Sequence, residues 1–225
     1  MTPVSTAVSP NPGPSNAGSS NSRGPQQERS RLTRERLLRS TVDVLAADGW
    51  AAATVAAVAE RAGVSRGAAQ HHFPTREALI TAALEQVFDD LTAAAGSEIE
   101  APGPDEAITP ARVSAAVQRA VAVYTGTEFK AALQVWAAAA SDPALRTLIL
   151  PLEAKFARAA HQRTMAAMGV SPDDQKGRRL VQATLDFARG LGLADTLSDD
   201  STRRAQVVDT WCEQIAVSLG VDSRP

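Results

Sequence analysis

Residues 65–72, SRGAAQHH, set four long hydrogen-bonding side chains, Arg66, Gln70, His71 and His72, among small neighbours. Arginine and glutamine match the donor and acceptor pattern of base edges, and a short helix with small residues between such side chains fits a major groove. Ser65, immediately before them, can cap that helix by accepting a free backbone N–H. Upstream, Thr54 is a second cap, followed by Val55, Val58, Ala59 and Ala62 at the spacing of one apolar helix face. Gly63 ends this earlier helix, because glycine tolerates the left-handed backbone after a helix terminus, and Val64 fills the corner. Residues 54–73 therefore read as a helix-turn-helix, and the partner they point to is double-stranded DNA. Arg66, Gln70 and His71 are expected at base edges, with Thr54, Ser65 and His72 on phosphates and Gly67 allowing close backbone approach.

Other chemistry-bearing side chains are sparse. His71 and His72 are adjacent, so on a helix they diverge by about 100° and cannot grip one metal as a pair four apart does. His161 stands far from any second ligand, and Cys212 reads as a small buried hydrophobe with no basic neighbour to activate its thiol. There is no phosphate-cradling glycine loop and no GxSxG turn. The sequence thus implies no catalytic residue, no metal and no cofactor.

The elements that must position the reading helix are visible on both sides. Before it runs RLTRERLLRSTVDVLAADGWAAAT, an amphipathic helix with Leu38, Val42 and Leu45 on one face, stopped by Gly49 ahead of Trp50. After it, HHFPTREAL leads into a long helix. The entry GWAAAT, the core VAERAGVSRG and the exit HFPTREAL together resemble the DNA-binding domain of the TetR family of one-component regulators, over residues 31–91. The resemblance implies three helices as a reading head and a fourth joining it to the body. It also implies that Arg76 holds a phosphate. Gln70 and Arg76 stand where the family commonly carries tyrosine and lysine, and both can still donate to phosphate.

Charge is distributed unevenly. Residues 1–80 hold nine Arg against six acidic side chains, whereas the remainder holds 14 basic against 19 acidic, within a chain of net charge -2. Arg31, Arg34, Arg36 and Arg39 cluster at the start of the first helix, a cationic end suited to phosphates. The segment 1–30, rich in Ser, Pro, Gly and Asn, is expected to be a solvated tail, with Arg23 and Arg29 as a possible minor-groove arm. No run approaches the eighteen or so apolar residues of a membrane span, and a single cysteine fits a reducing cytoplasm.

Beyond the head, residues 92–225 show helical periodicity throughout, so the fold is expected to be all-α with about nine helices: 75–95, 111–124, 128–140, 143–168, 174–195 and 201–219 after the head. Pro151 is expected to kink the longest of these. The resemblance implies that the last two helices pair with their copies in a homodimer. Their stripes are Leu180, Thr184, Phe187 and Leu191, then Val207, Val208, Trp211, Ile215 and Leu219. It also implies an effector pocket, for which Phe88, Leu91, Phe129, Leu133, Trp136, Leu152, Phe156 and Phe187 are candidates. Each of these is also a natural core residue. Tyr124, Thr125, Thr127, His161 and Arg189 are the polar groups available to orient a hydrophobic or amphipathic small molecule. The competing reading is a helical protein-binding adaptor with a degenerate helix-turn-helix, which the arginines of the first helix disfavour.

Overall fold

The computed structural model describes residues 23–97, 107–198 and 200–221. Among these, every regular element is helical. The order is α1 (Arg23–Ala52), α2 (Val55–Arg61), α3 (Arg66–His72), α4 (Arg76–Ser97), α5 (Pro110–Thr125), α6 (Thr127–Ser141), α7 (Pro143–Met168), α8 (Gln175–Asp195) and α9 (Ser201–Ser218).

Local chemistry accounts for most of the boundaries. Gly49 interrupts α1 with φ of 82°, so the chain turns there before Trp50. Thr54 Oγ1 accepts the Ala57 N–H at 3.1 Å, and Ser65 Oγ accepts that of Ala68 at 3.2 Å, the two expected caps of α2 and α3. Between them Gly63 takes φ of 63°. Thr109, Asp142 and Asp174 cap α5, α7 and α8 in the same manner, with Pro110 and Pro143 in the first helical turn. Pro151 lies inside α7, which continues through it as one helix.

The first helix begins earlier than expected. Arg23 to Ser30 belong to α1 rather than to a tail, and a glutamate explains part of it: Glu28 accepts from Arg31 at 2.6 Å and Glu35 pairs with the same guanidinium, so i,i+3 and i,i+4 ion pairs staple the exposed turns. The rest of the expected tail, 1–22, and most of the expected loop after α4 lie outside the described residues.

The head is a three-helix unit whose core is Leu37, Leu38, Val44, Leu45, Val58, Ala59, Ala69 and Phe73, all buried. α4 leaves it and packs on α7 and back on α1. In the body α5 is central, clasped by α8 and α9, which touch each other only slightly; α6 lies between α7 and the flank of α1. Close packing at this centre depends on Gly192. A Cβ there would fall 1.9 Å from the Tyr124 carbonyl oxygen and 2.6 Å from the Phe129 ring.

Candidate functional site

The expected reading helix is presented outward. In α3 only Ala69 is buried, whereas Arg66, Gly67, Gln70 and His71 are exposed and His72 is half-buried. Neither Arg66 nor Gln70 has a side-chain partner among the described residues, so their donors remain available to a duplex. A Cβ on Gly67 would meet nothing within 4 Å, which leaves open ground for a phosphate backbone. Thr54 and Ser65 spend an oxygen lone pair on their caps and keep an exposed O–H to donate.

The inner boundary of this face is His72 and Phe73. The His71 and His72 rings meet edge to face at 5.7 Å, and the Arg34 guanidinium lies 5.5 Å from the centre of the Phe73 ring. Desolvation, then the neighbouring His71 and Arg34, hold His72 below the ordinary histidine pKa. Arg34 thereby joins the α1 start to the end of α3, a cation close to the reading helix. Arg31 does not contribute in the same way, since Glu28 and Glu35 neutralise it. The expected cluster of four arginines is therefore weaker by one.

Arg76 is engaged within the chain. Its Nε donates to Ala53 O at 2.8 Å, a terminal nitrogen donates to Trp50 O, and the guanidinium sits 4.0 Å from the Trp50 ring centre. The side chain folds back over the end of α1, because the backbone there turns and leaves carbonyls without helical partners. It locks α4 to the turn that launches α2 and α3, which is a positioning task. One further link was invisible in the sequence. Gln134 of α6 accepts the Trp50 N–H through Oε1 at 3.4 Å and lies against Gly49, so the body touches the same turn. Residues 84 positions apart meet here, and no local pattern signals that.

The candidate pocket residues divide. Phe88 stacks on Phe156 at 4.7 Å, Phe156 meets Tyr124 at 6.2 Å, Tyr124 meets Phe129 at 5.0 Å, and Phe129 meets Trp136 at 5.6 Å. This chain of rings crosses the body from α4 to α6. Leu133 and Leu152 are half-buried against the same core. Phe187 departs from it and stacks instead on Trp211 at 5.0 Å. Leu91 lies on α4, but its side chain is outside the described residues. A groove of about 320 Å³ opens between α6 and α7 at the Trp136 end. Of the polar candidates, Thr125 bonds Val121 O within its helix, and His161 lies 3.1 Å from Arg178 O, where it ties α7 to α8. Thr127 lines a different depression, beside α1 and α4. Only Tyr124 and Arg189 reach the rings, with the guanidinium 5.3 Å from the Tyr124 ring centre.

The residues of the expected pairing stripes differ in burial: Thr184, Leu191, Val208 and Ile215 are buried within the single chain. Thr184 accepts the Trp211 indole N–H at 3.2 Å and donates to Leu180 O. Leu180, Phe187, Val207, Trp211 and Leu219 are half-buried at the rim. Cys212 is buried, and burial pushes its thiol pKa up, so it packs as a small apolar residue.

The family model for bacterial regulatory proteins of the tetR family matches residues 37–83, the span that holds the core of α1, the two capped helices and the start of α4. Residues 37–83 are thus a TetR-type DNA-binding segment. Along most of its length it is similar to the HTH-type transcriptional regulator CymR of Pseudomonas putida, with 26% identity covering 84% of this chain and 91% of that protein. The regulator BetI of Stenotrophomonas maltophilia is 31% identical over 52% of this chain and 59% of its own length. A solved transcriptional regulator from Rhodococcus sp. Rha1 superposes with a TM-score of 0.63 at 29% identity, covering 85% of this chain and 99% of that one. The chain is thus similar to DNA-binding transcriptional regulators, and α2 and α3 lie within the matched segment.

Proposed function

We propose that the protein is a homodimeric repressor, released from a palindromic operator by a small hydrophobic or amphipathic effector. The observation that carries this reading is the union of two features: an exposed polar face on α3, and a ring-lined interior built partly on α4 and α6, both of which touch the head. Phe88 on α4 and Trp136 on α6 sit at opposite ends of the ring chain, while Arg76 on α4 and Gln134 on α6 both hold the turn at Trp50. A molecule among the rings would bias both helices, and it would release DNA by whatever difference in affinity it has for the two head arrangements. A hundred-fold preference supplies about 2.7 kcal/mol per site.

Pairing is supported by a face that the single chain leaves half-covered. Leu180, Ala183, Phe187, Gly190 and Ala194 share one side of α8, and Val207 and Trp211 share one side of α9. One short reading helix contacts too few bases to specify a genomic site, so two-fold pairing also answers a need of recognition. The test is footprinting of the full chain on the DNA upstream of its own gene, followed by light scattering of the complex. An inverted repeat protected by two subunits is the expected result. A protected single half-site, or a monomer on DNA, would remove the dimeric part of the reading.

A further inference from the structure

Arg66 opens α3, and Gln70 stands four residues on, one turn later on the same side of the helix; both are exposed. Between them lie Gly67, Ala68 and Ala69. A Cβ on Gly67 would meet nothing within 4 Å, and Ala69 is turned into the core. No bulky side chain separates Arg66 from Gln70, so the helix axis can approach a groove floor closely enough for both side chains to reach base edges. The neighbouring arginines are engaged within the chain: Arg61 pairs with Asp48 at 2.7 Å, Arg76 is held by the Ala53 and Trp50 carbonyls, and Arg34 lies over the Phe73 ring.

The two exposed side chains differ in what they can match. Arginine offers a fork of N–H donors and no acceptor. In the major groove guanine presents two acceptors, O6 and N7, whereas cytosine presents an amino donor and adenine and thymine one acceptor each. A donor fork therefore finds two partners on one base only at guanine. The glutamine amide carries a donor and an acceptor in one plane, the complement of adenine, where the N6 amino group donates and N7 accepts. Their separation adds a distance. Four residues of α-helix rise about 6 Å, and base pairs stack about 3.4 Å apart, so the two side chains reach base pairs that are neighbours or have one pair between them.

We infer that the DNA met by one copy of α3 holds a G·C pair whose guanine takes the Arg66 guanidinium on O6 and N7 and, next to it or one base pair further, an A·T pair whose adenine takes the Gln70 amide on N6 and N7. This rests on the reading of α3 as the helix that enters the major groove, and it names the bases that helix selects.

The test begins with selection of bound duplexes from a random pool by the full chain, at one fixed salt concentration. The enriched sequences are expected to share a guanine and an adenine at that spacing. In the selected site, 7-deazaguanine or 7-deazaadenine at the read position removes the N7 acceptor and leaves Watson–Crick pairing intact. Each is expected to weaken the parent about tenfold. Arg66→Ala is expected to respond to 7-deazaguanine by no more than about twofold and to keep the response to 7-deazaadenine, and Gln70→Ala to show the reverse. Gln70→Arg is expected to change the enriched adenine to guanine, a gain that damage to the fold cannot imitate.

Enriched sites without that pair of bases, or 7-deaza effects that persist in the matching alanine variants, overturn the base assignment; α3 remains the reading helix if Gln70→Arg still changes the enriched sequence. An equal loss on every duplex from both alanine variants moves the two side chains to phosphates and overturns it as well. One enriched sequence shared by the parent, both alanine variants and Gln70→Arg defeats the reading of α3 and the inference with it. A chain that enriches no sequence defeats both.

Discussion

Arg66 opens α3 and Arg76 opens α4, and the Arg76 guanidinium is held by the Ala53 and Trp50 carbonyls whereas Arg66 is exposed. Arg66→Ala and Gln70→Ala are expected to relax preference at one base pair each by about 1–3 kcal/mol, with little loss on random duplex, read by competition binding against single-position operator variants. Arg76→Ala is expected instead to lower stability by about 1–3 kcal/mol through the loss of two carbonyl bonds and the stack on Trp50, with Arg76→Lys failing to restore it because the fork geometry is gone. Chemical denaturation checks this; an unchanged midpoint with a uniform loss of DNA affinity would return Arg76 to the phosphates. The outward set on α3 was legible because exposure follows helical spacing, and Thr54 and Ser65 because a cap is a local event. The role of Arg76 was not, because its partners are backbone carbonyls brought near only when α4 folds over the end of α1. The same tertiary closeness acts on His72. Its pKa is held below the usual 6.5 by desolvation, so the unfolded chain binds the proton more readily. Its contribution to stability is complete above that value and lost as the pH falls through it toward the lower native one. His72→Gln is expected to flatten the decline in melting temperature between about pH 7 and pH 5; an identical decline in the variant would show that other groups set it.

At the scale of elements, helix number, order and most boundaries were legible, since Thr109–Pro110 and Gly169 are punctuation that acts within a few residues. The early start of α1 was missed because composition suggested a tail, whereas Glu28, Arg31 and Glu35 stitch that turn into the helix. What periodicity could not assign was which face of α8 and α9 serves the core, because the answer depends on where α5 lies. Thr184, Leu191, Val208 and Ile215 are buried within the single chain, and the same stripe logic that found them helical could not tell inward from partner-facing. Gly192 measures how closely α8 approaches α5 and α6. Gly192→Ala places a methyl inside the contact distance of the Tyr124 carbonyl and the Phe129 ring, so a loss of about 1–3 kcal/mol is expected, despite the better helix propensity of alanine. A variant as stable as the parent would mean that the two helices separate without cost. The link from α6 to the Trp50 turn has a different signature: Gln134→Leu is expected to leave operator affinity of the free protein within about threefold while shrinking the effect of a bound ligand on that affinity, the mark of a lost coupling energy.

For the whole molecule, the proposed dimer requires two reading heads held at a spacing that matches DNA. Successive major grooves recur at about 34–36 Å, so the operator is expected to be an inverted repeat whose half-site separation is a small multiple of that turn. The pairing face, not the head, then sets which operators are admissible. Phe187→Asp and Trp211→Asp would disturb it, but they also break the Phe187–Trp211 stack and the Thr184 bond within one subunit, so a failed dimer would not be separable from a damaged body. Gly190 separates the two. It lies on the same side of α8 as Ala183, Phe187 and Ala194, and a Cβ on it would meet nothing within 4 Å. In a lone subunit Gly190→Glu is therefore accommodated, and it removes a helical glycine worth roughly 0.5–1 kcal/mol. Against a partner helix the same carboxylate would be buried without a counter-charge, a penalty large enough to outweigh that gain. The expected outcome is a protein whose helical content and melting curve match the folded monomer, whose light scattering reports one subunit, and whose operator affinity falls to the level of a single half-site. A dimer that survives Gly190→Glu at micromolar concentration would place the pairing surface elsewhere on the body.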